Sequence, residues 1–490
     1  MKASVLLAAT QVLESRGDTG VEIKGLVTDS RQVKPGQAFF AVPGNKVDGA
    51  HFIQDALARG AAMIITRDAF NLQRGHALFV RVDDVRIAMA EIAAAFYGYP
   101  ARRLRMLGIT GTNGKTTTAC MARNILQAAG LRPGLIGTIR YEIGDRSIPA
   151  TRTTPESVDL HNMFAQMVNA GCRSAVMEVS SHGLVQRRTW GIDYDVAVFT
   201  NLTHDHLDYH HTVDEYCEAK SLLFRGLQGR PGQTALINLD DQHGPHLLEV
   251  ASKHASAVAY SIQRPDARIR AINLQLKPRG SEFDAVTPWG TLPLRLRLPG
   301  RFNVYNALAA LGACVTMGVD LSVIAPVLDA LESVPGRLEE IKNTAGFQVF
   351  VDYAHTADAL RNVLSAMREI TAGRLILVFG CGGDRDRRKR PLMGAVAAEL
   401  ADYTIVTSDN PRKENPSDII AEIRTGFAGH DNFEIVEDRY EAIVQALSLA
   451  ERGDAVLIAG KGHENYQEFA DTVIPFDDRQ VVRECLGVTT

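Results

Sequence analysis

Leu104-Arg-Met-Leu-Gly-Ile-Thr-Gly-Thr-Asn-Gly-Lys-Thr-Thr-Thr-Ala-Cys120 decides the fold. The apolar run from Met106 to Ile109 reads as a buried strand, punctuated by Gly108, Gly111 and Gly114. Lys115-Thr116-Thr117 then opens an alanine-rich helical segment that ends near Gly130. Strand, glycine turn and helix N-terminus together form an anion site, because backbone N–H groups converge there and the helix dipole favours negative charge. Lysine adds a point charge for β- and γ-phosphates, and Thr116 offers a hydroxyl to magnesium. The spacing G-x-x-G-x-x-G-K-T-T departs from the strict phosphate-loop pattern, whose first glycine would fall on Ile109. A bare glycine turn before a helix is the bland reading. Strand, Lys115 and Thr116 in register favour a nucleoside triphosphate site.

Working outward, 490 residues suggest about three domains. The composition, 46% hydrophobic and 22% charged, is that of a globular protein with ample core. A net charge of −4 gives no reason to expect nucleic acid or an anionic membrane as partner. Six scattered cysteines without a C-x-x-C pair suit a reducing compartment and argue against disulfides or structural zinc. No stretch approaches the roughly 20 apolar residues of a membrane span, and the N-terminal apolar run is too short for a signal peptide. The expectation is a cytoplasmic protein.

Residues 1–102 alternate short strands and helices and end at Gly98-Tyr-Pro100. Asn45-Lys46-Val47-Asp48 matches the N-K-x-D guanine motif, but it precedes the phosphate loop instead of following it. From 103 to 335, strands and helices alternate over 104–110, 115–129, 134–143, 155–170, 174–180 and 195–202. That pattern predicts a doubly wound, largely parallel sheet. Ala271–Val286 and Thr291–Leu298 alternate apolar with polar residues and read as antiparallel additions. Residues 336–490 form a second α/β block, with strands at Phe347–Tyr353, Arg374–Gly380, Tyr403–Ser408, Glu434–Val436 and Asp454–Gly460. The fold class is therefore α/β in three domains: a smaller N-terminal one, a central ATPase-like sheet and a Rossmann-like C-terminal sheet.

Several strand ends carry chemistry. Glu178, in Met177-Glu-Val-Ser-Ser-His-Gly183, leaves a strand beside the phosphate loop, where magnesium needs an oxygen ligand. His204, Asp205, His206, Asp208, His210 and His211 could suit zinc or iron, but the spacing lacks the partners such sites use. Beside a triphosphate site, one of these histidines more readily serves magnesium. Asp352 could hold a ribose hydroxyl, and Arg337, just upstream, could neutralise a transferring phosphate. The basic run Arg385 to Arg390, interleaved with Asp386, reads as a solvated or carboxylate-binding loop. Asp409-Asn410-Pro411-Arg412 could be a plain Asn-Pro turn. Yet Arg385 and Arg412 both leave strand ends of one sheet, and two guanidinium forks suit a ligand with a free carboxylate.

In order, the chain contains Gly111-Thr-Asn-Gly-Lys-Thr-Thr117, Thr153-Thr-Pro155, Glu178-Val-Ser-Ser-His-Gly183, Asp205-His-Leu-Asp208, Asn303-x-x-Asn306, Arg337, Asp352-Tyr-Ala-His355 and Asp409-Asn-Pro-Arg412. This series resembles the Mur ligases of bacterial cell-wall synthesis, most closely the members that add 2,6-diaminopimelate to UDP-N-acetylmuramoyl-L-alanyl-D-glutamate. The resemblance implies an ADP-forming amide ligase acting through an acyl phosphate, with ATP and Mg²⁺. It assigns ATP contacts to Gly111, Thr112, Asn113, Gly114, Lys115, Thr116, Thr117, Asn303, Asn306, Arg337, Asp352 and His355. Thr116, Glu178 and His206 would serve magnesium, together with Lys220 if carbamylated; Lys115, Glu178, His206, Lys220 and Arg337 would be catalytic. Thr28, Ser30, Gly44, Asn45 and Lys46 match UDP-binding positions. Thr153, Thr154, Ser180, Gln186 and Arg188 match those holding the muramoyl-dipeptide. Arg385, Asp409, Asn410, Pro411, Arg412, Gly460 and Glu464 match the amino-acid pocket, where Arg412 separates diaminopimelate from lysine. The expected partners are small molecules only, and the expected state is a monomer. A lysine-adding ligase or a folylpolyglutamate synthetase is the rival within the superfamily. A nucleotide switch or motor ATPase is the rival outside it.

Overall fold

The computed structural model describes residues 1–44, 47–69, 77–203, 205–277 and 279–488. Asn45, Lys46 and His204 lie outside the described residues. Three large sheets account for the α/β character expected from the alternating pattern.

The central sheet has eleven strands, and its middle is parallel: Ser256–Ser261, Thr234–Asn238, Val196–Phe199, Arg105–Thr110, Ser174–Glu178 and Pro133–Ile136 run side by side. Arg105–Thr110 sits between Val196–Phe199 and Ser174–Glu178 and is buried from Met106 onward. Covered on both faces, such a strand reads as a continuous apolar run, not an alternation. Gly108 serves packing here: a Cβ on it would lie 2.7 Å from the Tyr194 ring. The alanine-rich helix Arg301–Thr316 is buried almost all round and packs, with the helix Lys115–Ala128, in one of the two large apolar clusters of this sheet.

Antiparallel ribbons extend both edges. Residues 134–143, read as one element, are two strands, Pro133–Ile136 and Arg140–Ile143, which pair antiparallel and continue into Arg146–Pro149. Gly137-Thr138 makes the break, because Thr138 turns its N–H to the Glu178 carboxylate instead of the ladder. The later additions are three strands, Ile269–Lys277, Gly280–Thr287 and Gly290–Leu296.

The N-terminal sheet orders Glu14–Arg16, Leu78–Arg81, Met63–Thr66, Gln37–Phe40 and Gly25–Val27, parallel apart from its first strand. The C-terminal sheet has six strands, in the order Glu339–Glu340, Gln348–Asp352, Ala455–Ala459, Leu375–Phe379, Tyr403–Val406 and Phe433–Ile435. Its helix Ala357–Ile370 buries Leu360, Val363, Leu364 and Met367, the i, i+3, i+4, i+7 stripe of a helix lying on a sheet. Thr356 caps that helix by accepting the Ala359 N–H at 3.2 Å. In both larger sheets the parallel strands bring their carboxyl ends, and the loops that follow them, to one side.

Arg385, Arg387 and Arg388 of the basic run are exposed, as a solvated loop requires, but its last arginine is not. Arg390 is fully buried, and it donates to Glu414 at 2.8 and 2.9 Å and to Glu422 at 2.8 Å.

Candidate active site

A cleft of about 560 Å3 opens between the central and C-terminal sheets. Thr112–Thr117, Glu178, Asp205 and His206 line it from one side; Arg337, Asp352, His355 and the Asp358–Glu369 face of a helix line it from the other.

The phosphate loop is held from below. Thr112 N–H donates to Asn201 O and Asn113 N–H to Asn201 Oδ1, each at 2.8 Å. Gly111 sits at φ +152°, where a Cβ would lie 1.9 Å from Thr200 Oγ1, so only glycine fits. The first-turn N–H groups of the helix Lys115–Ala128 have no intrahelical acceptor, which leaves them for an anion. Lys115 Nζ folds back on Gly111 O at 2.8 Å and Thr112 O at 2.9 Å. Burial pushes its ammonium down, while Glu178 pulls it up.

Glu178 is buried, and Thr116 Oγ1 donates to its Oε2 at 2.9 Å. Thr138 donates to both carboxylate oxygens, from N at 2.8 Å and from Oγ1 at 2.9 Å. Thr116 and Glu178 thus put hard oxygen donors beside the phosphate loop, the donor set that suits magnesium. Among the described residues no three His, Cys, Asp or Glu side chains gather as a metal cluster. His206 stands 3.4 Å from Asp205 and packs edge-on against His182 and Tyr216. Lys220 is buried, with Nζ 4.2 Å from the Tyr216 ring centroid. Burial, reinforced by Lys115, holds its amine well below the usual lysine range. Tyr216 in turn accepts from Thr112 Oγ1 at 3.2 Å, tying this corner to the phosphate loop.

From the far side, Arg337 Nη2 donates to Thr116 Oγ1 at 3.1 Å, and Asn113 Nδ2 donates to Asp358 Oδ2 at 3.1 Å. Asp352 takes Leu338 N–H at 2.6 Å and Ala354 N–H at 2.7 Å, one on each oxygen. Its carboxylate therefore shapes the loop that aims Arg337. Burial pushes the Asp352 carboxyl up, against the pull of Arg337. His355 Nδ1 lies 2.8 Å from Tyr353 O, and burial brings the ring down to about 4, leaving it neutral. Asn303 and Asn306 are buried and bonded to each other at 3.1 Å; Asn303 also donates to Pro299 O, and Asn306 accepts from Thr118. They fasten the helix Arg301–Thr316 to the phosphate-loop helix.

Next to Glu178 the structure joins Thr153, Thr154, Ser180, Gln186 and Arg188. Thr154 Oγ1 accepts the Ser180 N–H at 2.9 Å, and Arg188 donates to Thr154 O at 2.8 Å and to Gln186 Oε1 at 2.6 Å. Thr153 reaches Thr138 at 3.1 Å. Thr28 and Ser30 follow the strand Gly25–Val27 in the N-terminal sheet, and Gly44 lies beside the undescribed Asn45 and Lys46.

The residues expected to hold the amino acid follow the carboxyl ends of the C-terminal strands. Arg412 donates from Nη1 to Gly383 O and from Nε to Glu468 Oε2, both at 2.8 Å. Asn410 Nδ2 reaches Glu464 Oε2 at 2.8 Å, and Asp409 Oδ1 accepts the Asn410 N–H at 2.7 Å. Gly460, at φ +114°, lets Asp409 come so close that a Cβ would lie 2.5 Å from its Oδ2. The Pro411 carbonyl packs on Gly383. Arg385 is exposed and donates from Nη1 to Asp384 O at 3.3 Å. Sequence reasoning passed over Thr138, Asn201, Tyr216, Asp358, Lys461 and Glu468. Lys461 alone had a local signal, standing between Gly460 and Glu464.

A phosphate loop facing a second α/β sheet across such a cleft defines a nucleotide-dependent α/β enzyme. Three family models match in order: "Mur ligase family, catalytic domain" over residues 22–97, "Mur ligase middle domain" over 109–314, and "Mur ligase, glutamate ligase domain" over 336–462. The chain belongs to the Mur ligase family. It is 44% identical over 475 residues to the UDP-N-acetylmuramoyl-L-alanyl-D-glutamate–2,6-diaminopimelate ligase of Caldanaerobacter subterraneus subsp. tengcongensis, covering 97% of each chain. With the protein of that name from Gloeobacter violaceus it shares 46% identity over 489 residues, 99% of this chain and 98% of the other. A solved structure bearing the same ligase name matches with a TM-score of 0.70 and 34% identity, covering 99% of both chains.

Proposed function

We propose that the protein is the ATP-dependent, ADP-forming ligase that joins meso-2,6-diaminopimelate to UDP-N-acetylmuramoyl-L-alanyl-D-glutamate, a cytoplasmic step of peptidoglycan precursor synthesis. Full-length similarity to relatives of that name supports the reading. The contact from Arg337 to Thr116 carries it, since it brings the sheet bearing the Arg412 pocket onto the phosphate loop.

A carboxylate is a poor electrophile. Transfer of the ATP γ-phosphoryl group to the D-glutamyl γ-carboxylate gives an acyl phosphate and ADP. The amine nitrogen then attacks the carbonyl carbon, the C–O bond to phosphate breaks, a proton leaves the nitrogen, and the amide remains. The loop N–H groups and Lys115 bind the β- and γ-phosphates, with Lys115 leaving its two loop carbonyls to do so. Arg337 offsets charge on the transferring group. Thr116 and Glu178 would hold magnesium, with His206 on the cleft wall and a carbamylated Lys220 buried beside Tyr216; the bound ion would neutralise phosphate charge. As an ammonium Lys220 would repel a cation, whereas a buried neutral amine is the form that adds carbon dioxide. Residues 1–102 take the UDP end, 103–335 take ATP, and 336–490 take the amino acid. Thr153, Thr154, Ser180, Gln186 and Arg188 hold the muramoyl-dipeptide. Arg412 grips the distal carboxylate that lysine lacks. One chain carries every pocket, so a monomer suffices.

Phosphate release is the test. It should require ATP, magnesium, the UDP-linked dipeptide and an amine acceptor together; release that ignores the dipeptide would refute the reading.

A further inference from the structure

Behind the Asn410–Arg412 turn lies a lysine with no task so far. Lys461 follows the strand Ala455–Ala459, flanked by Gly460 and Gly462, both at positive φ. Its side chain is 0% exposed. A buried ammonium is strongly destabilising unless it is paired and hydrogen-bonded, so its contacts show what it is held for. Nζ donates to Asn410 Oδ1 at 3.0 Å and to Glu464 Oε2 at 3.2 Å, with the Tyr466 ring centroid 5.4 Å away. Both acceptors belong to the amino-acid pocket.

Counting donors fixes the geometry. Asn410 Oδ1 also accepts the Glu468 N–H at 3.0 Å, so two donors meet the oxygen end of this amide. Its NH2 end must then face Glu464, to whose Oε2 it donates. Glu464 Oε2 is engaged twice, whereas Oε1 accepts no hydrogen bond from a described residue. Burial pushes the Glu464 carboxyl up; Lys461 pulls it down, and Asp409 pushes with burial. With that cation removed, Asn410 loses one of the two donors that set its orientation, and Glu464 shares a buried pocket with Asp409 with its nearest counter-charge gone.

We propose that Lys461 is a positioning residue for the amino-acid substrate: by pinning Asn410 and Glu464 it leaves the second Glu464 oxygen to receive an ammonium group of the incoming diamino acid. This rests on the diaminopimelate reading above. A lysine that merely fastened the loop would, when replaced, weaken every substrate alike.

Lys461→Met, Glu464→Gln and the double variant, made in the full chain, separate the two roles by steady-state kinetics. Each single change should raise KM for meso-diaminopimelate about tenfold or more, with KM for ATP within about twofold. The double variant should be no worse than the worse single one, because both act through one contact. Additive losses, or an equal rise in KM for ATP, would overturn the proposal. Lys461→Gln, which keeps a donor without the charge, replaces Lys461→Met if the latter does not fold. Glu464→Gln decides independently: KM for meso-diaminopimelate unchanged within about twofold would refute the proposal. A wild-type chain inactive with meso-diaminopimelate would refute the functional reading instead.

Discussion

Arg337 Nη2 and Thr116 Oγ1 meet at 3.1 Å across 221 residues of chain. The guanidinium lies over the Tyr353 ring at 4.8 Å, and its Nε is buried without a partner among the described residues. It therefore has donors to spare for phosphate oxygens. Arg337→Ala is expected to lower kcat about 100-fold or more, the scale of losing a donor aimed at developing charge. Phosphate release under saturating substrates measures it. An unchanged kcat would make the contact a resting-state latch.

Lys220 predicts a trade between stability and turnover. Unfolded, its amine holds a proton up to about pH 10.5; folded, burial and then Lys115 lower that limit well below it. The unfolded state binds more protons, so this group's contribution to stability rises with pH between the folded and unfolded pKa. In bicarbonate-free buffer at neutral pH, Lys220→Met should unfold about 2 °C or more above wild type while losing ligase activity. The gap should close as pH approaches 10.5. Thermal unfolding at two pH values checks this; a gap that widened with pH would contradict it.

Arg412 is held ready by Glu468 and Gly383 O. Arg412→Ala should raise KM for meso-diaminopimelate about 100-fold, since a desolvated charge-assisted contact is worth a few kcal/mol. Affinity for ATP should stay nearly unchanged in nucleotide-binding titrations. An equal loss of both would mean that Arg412 holds the loop and not the ligand.

Beneath the pocket, Arg439 and Asp478 form an ion pair with both side chains 0% exposed. Arg439 also donates to Ala459 O at 3.0 Å, just before Gly460. Asp478→Ala strands a buried guanidinium and should destabilise the chain by about 3–5 kcal/mol. Denaturant unfolding of the C-terminal sheet reads this; a change within about 0.5 kcal/mol would contradict it.

The phosphate loop was legible because its strand, turn and helix are consecutive, so local rules suffice. Glu178 and Arg412 were legible as residues at or after strand ends, and Arg337 as the arginine at the junction just upstream of the last block, all in ordered motifs. Thr234–Asn238, in contrast, is a short strand buried throughout, which periodicity cannot tell from other apolar runs. Arg390 looks solvated because its acceptors Glu414 and Glu422 lie 24 and 32 residues away. Glu468 hides in the hairpin formed by Tyr466–Glu468 and Val473–Pro475, whose pairing with Arg412 is a tertiary fact. Asn303 and Asn306 show the converse: the motif was visible, but not that its amides clasp two helices together.

Competition between amines tests the central claim most directly. With ATP, magnesium and UDP-N-acetylmuramoyl-L-alanyl-D-glutamate saturating, kcat/KM is measured for meso-diaminopimelate and for L-lysine, and the product is weighed. A preference for meso-diaminopimelate of about 100-fold or more, with a product heavier by one amide-linked diaminopimelate, is the result expected from Arg412. Equal or better turnover of L-lysine would contradict it.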